Sequence, residues 1–127
     1  MTARVFAQIV GVVLLLLGVL GLLLGDQLLL GLVNIDIVED IIHLLTGGIL
    51  AYVGFGQRDE GLARNVVIGL SVIYLLVGLL GFILPNMAGL IPHEYTVGDD
   101  IIHLVLGALG LLVALGTGSS RSTTSRA

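Results

Sequence analysis

Two copies of one pentapeptide, Asp40-Ile41-Ile42-His43-Leu44 and Asp100-Ile101-Ile102-His103-Leu104, stand sixty positions apart in this chain. An aspartate and a histidine three apart lie on one face of a helix. Each copy is preceded by a further acid, Glu39 or Asp99, and followed four residues after the histidine by a glycine, Gly47 or Gly107. Carboxylates and imidazoles in this pattern can hydrogen-bond one another, ligate a divalent metal, hold a haem through the imidazoles or relay a proton. Nucleophilic catalysis has no comparable support. Ser71 has no base evident beside it, and the absence of cysteine removes thiolate chemistry and iron–sulfur ligation. The chain reads as a non-enzyme.

The elements that carry these residues are set by composition. The chain has 127 residues, of which 57% are hydrophobic and 11% charged, with mean hydropathy +1.15. A soluble domain does not have that balance. Apolar runs at 5–24, 37–56, 66–84 and 97–116 each approach the ~20 residues that cross a hydrocarbon core as helix. The first run exceeds a signal-peptide core and no small-residue cleavage motif follows it, so it is expected to remain as a span. The predicted architecture is an all-α integral membrane protein: a four-helix transmembrane bundle forming one domain over 1–116. Repeat one covers 5–56 and repeat two 65–116. Residues 117–127, rich in Ser, Thr, Gly and Arg, are expected to form a disordered cytoplasmic tail.

Charge sets the expected orientation. The five cationic side chains, Arg4, Arg58, Arg64, Arg121 and Arg126, all fall at one side of a four-span topology. The positive-inside rule then places both termini and the central connection in the cytoplasm, with the chain multi-pass in the cell (plasma) membrane. The two opposite connections carry Asp26, Asp36 and Glu94 and no Lys or Arg, which makes the outer side acidic. The expected partners are the lipid bilayer and a second copy or another membrane protein, with no nucleic acid. The outer stretches 27–33 and 87–91 are apolar enough to lie at the interface or fold over the bundle mouth, and 92–95 adds a polar, aromatic rim.

Asp36 with Glu39, and Thr96 with Asp99, have the spacing of an N-cap followed by an acid at N3. That register puts each histidine about 10 Å along its helix from the outer end. Gly18, Gly21, Gly78 and Gly81 on the first and third spans, with Gly47 and Gly107 on the second and fourth, mark stripes where helices can approach closely. Each repeat has an even number of spans, so the tandem helix pairs are parallel and related by a pseudo-twofold axis along the membrane normal. Helices two and four are expected to meet at that axis, with one and three on the flanks. Asp40 and His43 would then oppose Asp100 and His103.

Four chemistries remain open to such a cluster. In the first, the aspartates hold the imidazole N–H groups and fix the register of the halves, with no cofactor. In the second, His43, His103, Asp40 and Asp100 ligate a divalent metal such as zinc, although the first and third helices offer only Ser71 and Tyr74 in place of further carboxylates. Bis-histidine haem ligation would use the space at Gly47 and Gly107, but haem propionates favour basic neighbours and every arginine is on the other side. A proton or cation relay finds only Gly, Ala, Leu and Val below the cluster. The first is the leading expectation: a structural or interaction subunit with an outer-leaflet Asp/His cluster. Metal binding is the alternative.

At the outer acid, His43-Leu44 and His103-Leu104, and the trailing Gly47 and Gly107, the chain resembles the small four-helix prokaryotic membrane proteins grouped as domain of unknown function 4383. The resemblance spans 5–116 and implies an integral membrane protein with no assigned activity.

Overall fold

The computed structural model describes residues 1–84 and 96–120, the last four by backbone alone. Helix α1, Ala3–Leu24, starts at Thr2, whose hydroxyl accepts the Val5 N–H at 3.1 Å. Helix α2, Ile37–Ala51, is capped by Asp36 accepting the Glu39 N–H at 2.9 Å. It widens into a π-helical turn over Tyr52–Gly56. Helix α3, Glu60–Ile83, is capped by Asp59 through the Leu62 N–H. Helix α4, Val97–Ser120, begins with a reciprocal box: Thr96 Oγ1 accepts from Asp99 N–H at 3.2 Å, and Asp99 Oδ2 accepts from Thr96 N–H at 3.0 Å. The four segments Ala3–Leu24, Ile37–Gly56, Glu60–Ile83 and Val97–Gly116 are long and apolar enough to cross a membrane.

Each helix pairs most extensively with its sequence neighbour, α1 with α2 and α3 with α4. Glycine makes these contacts possible. A Cβ on Gly11 would lie 2.7 Å from the Ala51 nitrogen, and one on Gly47 2.9 Å from the Leu15 nitrogen. In the second pair, a Cβ on Gly107 would meet the Ser71 carbonyl oxygen at 2.7 Å. Backbones this close leave no room for a methyl group.

Between the pairs the arrangement differs from the sequence-based expectation. α1 meets α3 more extensively than α2 meets α3, while α2 against α4 is a minor contact. The centre is therefore lined by Ala3, Ala7, Ala63 and Val67, all buried, with Phe6, Leu50, Val53 and Ala114 around them. Small alanines at the start of α1 and α3 let these two helices approach; the acids at the start of α2 and α4 are used elsewhere.

Three further boundaries shift. The chain is not wholly helical: β1, Gln27–Leu29, and β2, Val33–Ile35, form a two-stranded antiparallel ribbon with Gln27 opposite Ile35. Leu30 and Gly31 turn it with positive φ of 53° and 71°, a conformation glycine takes without strain. The central connection shortens to 57–59, because Asp59 caps α3 and draws Arg64 into the helix. At the other end α4 continues through Ser120, beyond the expected boundary at 116. The remaining tail residues, 121–127, and the connection 85–95, with its expected interfacial stretch and aromatic rim, lie outside the described residues.

Candidate functional site

The first two turns of α2 and α4 place six buried or half-buried polar residues, Glu39, Asp40, His43, Asp99, Asp100 and His103, at one end of the bundle. Asp40 is 4% exposed and Asp100 3%. Their carboxylates do not meet at a common axis. Asp40 presses on Gly21 of α1, where a Cβ would overlap its Oδ1, and Asp100 presses on Gly81 of α3 in the same way. One turn earlier, Gly18 faces Leu44 and the Asp40 carbonyl, and Gly78 faces Leu104 and the Asp100 carbonyl. These four glycines form cradles that receive the acid-bearing turn of the partner helix.

The acid beside His43 is Glu39, not Asp40. His43 Nε2 lies 3.8 Å from Glu39 Oε1, one helical turn back, an ion pair when the imidazole is protonated. Residues four apart are separated by about 40° around a helix and residues three apart by about 60°. The two offsets run in opposite directions, so Glu39 and Asp40 stand about 100° apart, and Asp40 faces α1 while Glu39 and His43 face the other pair of helices. Asp99 is drawn into capping: Oδ2 accepts from the Thr96 N–H and hydroxyl and from the Asn34 N–H at 3.2 Å. The Thr96 hydroxyl also lies against the Leu32 carbonyl oxygen. The ribbon between α1 and α2 is thus strapped across to the start of α4.

The two histidines come together where the aspartates do not. His43 and His103 both line a cavity of about 60 Å³ with Glu39, Thr46, Tyr74, Ile42, Ile73 and Val77. His103 is 8% exposed, and its ring lies 5.5 Å from that of Tyr74, tilted by 36°. The Thr46 hydroxyl donates to the Ile42 carbonyl at 2.8 Å and lies 3.0 Å from the Tyr74 hydroxyl. Tyr74 is legible in the sequence only as a side chain on the third span; its place on α3 beside Thr46 and His103 is what makes it a cavity wall.

Among the described residues, no three His, Asp or Glu side chains gather so as to hold a metal ion. Asp40 and Asp100 point away from the His43/His103 cavity, so the two-His, two-Asp zinc arrangement does not assemble. The haem arrangement fails on space, since the face of Gly47 is filled by Leu14 and the Gly11 backbone, and that of Gly107 by Leu75 and Ser71.

At the opposite end, two arginines bind backbone. Arg4 Nε donates to the Gly54 carbonyl at 3.0 Å, joined there by Gln8 Nε2 at 2.9 Å. Arg64 Nε donates to the Ala114 carbonyl at 2.8 Å. Both acceptors lie toward the C-terminal ends of their helices, and the π-helical turn frees that of Gly54. The sixty-residue spacing of Arg4 and Arg64, and of Gly54 and Ala114, was the signal for these contacts.

The fold and site define a class: a small bundle of four helices, each long and apolar enough to cross a membrane, with buried polar groups concentrated at one end. Compared with protein-family models, with curated proteins and with solved structures, the chain matches none. The resemblance to domain of unknown function 4383 therefore rests on its two His-Leu motifs and their glycines.

Proposed function

We propose that this chain is a multi-pass membrane protein of structural or interaction type, a non-enzymatic subunit whose buried acids fix the register of its helix pairs. The observation that carries this reading is the seating of Asp40 on Gly21 and of Asp100 on Gly81. A carboxylate fitted against glycine admits one register of the two helices, since a slip of one residue would replace glycine by Leu20, Leu22, Leu80 or Phe82. Polar groups in bundle cores fix register in this way.

Membrane insertion is supported by the perimeter of the bundle: Leu16, Ile73 and Leu112 are 57%, 54% and 71% exposed, on three different helices. Water does not tolerate so continuous an apolar surface, and a bilayer does. Tandem parallel repeats are supported by matched contacts: Arg4 with Gly54 against Arg64 with Ala114, and Gly21 with Asp40 against Gly81 with Asp100. The arginine distribution favours cytoplasmic termini. The apolar perimeter is the surface offered to lipid, to another membrane protein or to a second copy.

Two measurements test this. Because the chain has no cysteine, single cysteines at Leu28 and Gln57 report sidedness cleanly. A membrane-impermeant maleimide applied to intact cells is expected to label the first and spare the second; labelling of both, or extraction of the protein by alkaline carbonate, overturns the topology. Elemental analysis and a visible spectrum of protein in mild detergent test the structural role. Stoichiometric zinc or iron, or a Soret band, lost in His43→Ala and His103→Ala would replace it by ligand binding.

A further inference from the structure

The ribbon formed by β1 and β2 has one closed edge and one open edge. The start of α4 closes the β2 side: the Asn34 N–H donates to Asp99 Oδ2 at 3.2 Å, and the Leu32 carbonyl accepts from the Thr96 hydroxyl. On the other side Gln27, Leu28 and Leu29 are all exposed, and among the described residues β1 packs extensively only on β2. We propose that this open edge pairs antiparallel with β1 of a second copy of the chain, joining two ribbons into one four-stranded sheet.

The ladder itself shows which groups are on offer. Opposed residues of an antiparallel pair alternate between those that exchange hydrogen bonds and those that do not. Leu28 stands opposite Asn34, whose N–H is turned away to Asp99. That pair is therefore a non-hydrogen-bonded one, and the Leu28 N–H and carbonyl point away from β2. They give the edge one donor and one acceptor at its centre. Two such edges related by a twofold axis are self-complementary, each Leu28 exchanging two hydrogen bonds with the Leu28 of the other copy.

Side chains and charge favour a second copy as the occupant. Leu28, Leu29, Leu30 and Leu32 are all exposed, and Leu30 keeps an 87% exposed leucine at a φ of 53°, where glycine or asparagine is less strained. So apolar a hairpin suits a membrane interface, but an unpaired N–H and carbonyl do not. Edge-to-edge pairing satisfies both. The inference rests here on the membrane insertion proposed above: two copies inserted alike present identical edges at one depth, antiparallel about an axis along the membrane normal. β1 also carries no lysine or proline of the kind that keeps natural edges apart.

Charge selects the register. With Leu28 on the axis, Gln27 lies opposite Leu29 of the second copy and Asp26 opposite Leu30. The two Asp26 residues then stand about 14 Å apart along the strands, beyond the ~8–10 Å over which exposed charges act at ordinary salt. A slide that shortens this separation brings like charges together.

The test is disulfide cross-linking in native membranes, clean because the chain has no cysteine. Chains carrying Gln27→Cys and chains carrying Leu29→Cys are co-expressed and oxidised with copper phenanthroline. In the proposed register, positions 27 and 29 of opposite copies are about 4.5 Å apart at Cα, whereas like positions are about 8 Å apart, outside disulfide reach. The mixed sample is expected to give about fivefold or more dimer than either variant alone. Leu28→Pro removes an N–H that the ribbon does not use, and should abolish the cross-link while thermal unfolding of the chain is unchanged. Leu28→Lys, which sets like charges opposite each other, serves if the proline variant does not fold. No dimer in the mixed sample, equal dimer in the single variants, a cross-link that survives the folded Leu28 variants, or a cross-link to a protein of another mass overturns the proposal. Alkaline carbonate extraction of the same membranes reports insertion by itself, so a chain that stays in the membrane without the cross-link refutes the pairing and leaves the membrane reading standing.

Discussion

Substituting Gly21 by alanine places a methyl group on the carboxylate of Asp40. A Cβ built there lies 2.8 Å from Asp40 Oδ2 and closer still to Oδ1 and Cγ. The carboxylate has little freedom to move aside, because Asp40 is 4% exposed and its own carbonyl is within 3.0 Å of a Cβ on Gly18. Overpacking of this kind costs ~1–3 kcal/mol. Alanine returns up to ~1 kcal/mol through its better helix propensity, so a net loss of about 1–2 kcal/mol is expected for Gly21→Ala. Gly81→Ala should behave alike, since Asp100 is seated in the same way. The internal controls are Gly48→Ala and Gly69→Ala, where a Cβ meets nothing within 4 Å; these should be neutral or stabilising. The assay is thermal unfolding in detergent followed by far-ultraviolet circular dichroism, extended to a double-mutant cycle with Asp40→Ala. If the clash is the cause, Asp40→Ala removes it and the pair shows a positive coupling of ~1 kcal/mol or more. A Gly21→Ala variant as stable as Gly48→Ala, or a cycle with no coupling, would falsify the cradle reasoning.

Other perturbations test separate contacts. Arg64→Ala removes the donor to the Ala114 carbonyl and should destabilise by about 1.5–3 kcal/mol, the range for hydrogen bonds to charged groups, with Arg64→Lys restoring only part in the same unfolding assay. Thr96→Ala deletes both the cap of α4 and the contact with Leu32; a loss of ~0.5–2 kcal/mol is expected, together with faster hydrogen exchange in 27–36, and unchanged exchange there would show that the strap is not held from α4. Thr46→Val leaves the Tyr74 hydroxyl without its hydrogen-bond partner in a half-buried setting and should cost ~1 kcal/mol or more, whereas Thr46→Val combined with Tyr74→Phe should recover much of it, because removing both partners is less costly than removing one.

Local rules carried much of the fold. The Asp36 and Thr96 caps follow from residue type and spacing alone, because an N-cap interaction is completed within one turn. Asp59 was an equally good cap, and its position just outside the apolar run hid the true start of α3. The ribbon over Gln27–Ile35 was not legible, since Leu28-Leu29-Leu30-Gly31-Leu32 shows no polar and apolar alternation; its pairing is fixed by the Leu30–Gly31 turn and by contacts with Thr96 and Asp99.

The same division runs through the site. The sequence by itself determined four apolar segments, their caps, the acids at the start of the second and fourth helices, and the glycines that let helices touch. It did so because hydropathy and helical period are properties of neighbouring residues. Only the tertiary structure decided that Glu39 stands beside His43, that Asp40 and Asp100 turn to Gly21 and Gly81, and that α1 and α3 meet at the centre. Helical period gives each side chain an angle around its own axis, but which neighbour occupies that direction depends on how the pairs dock. There the alanines of α1 and α3 admit an approach that the carboxylate-bearing turns of α2 and α4 do not.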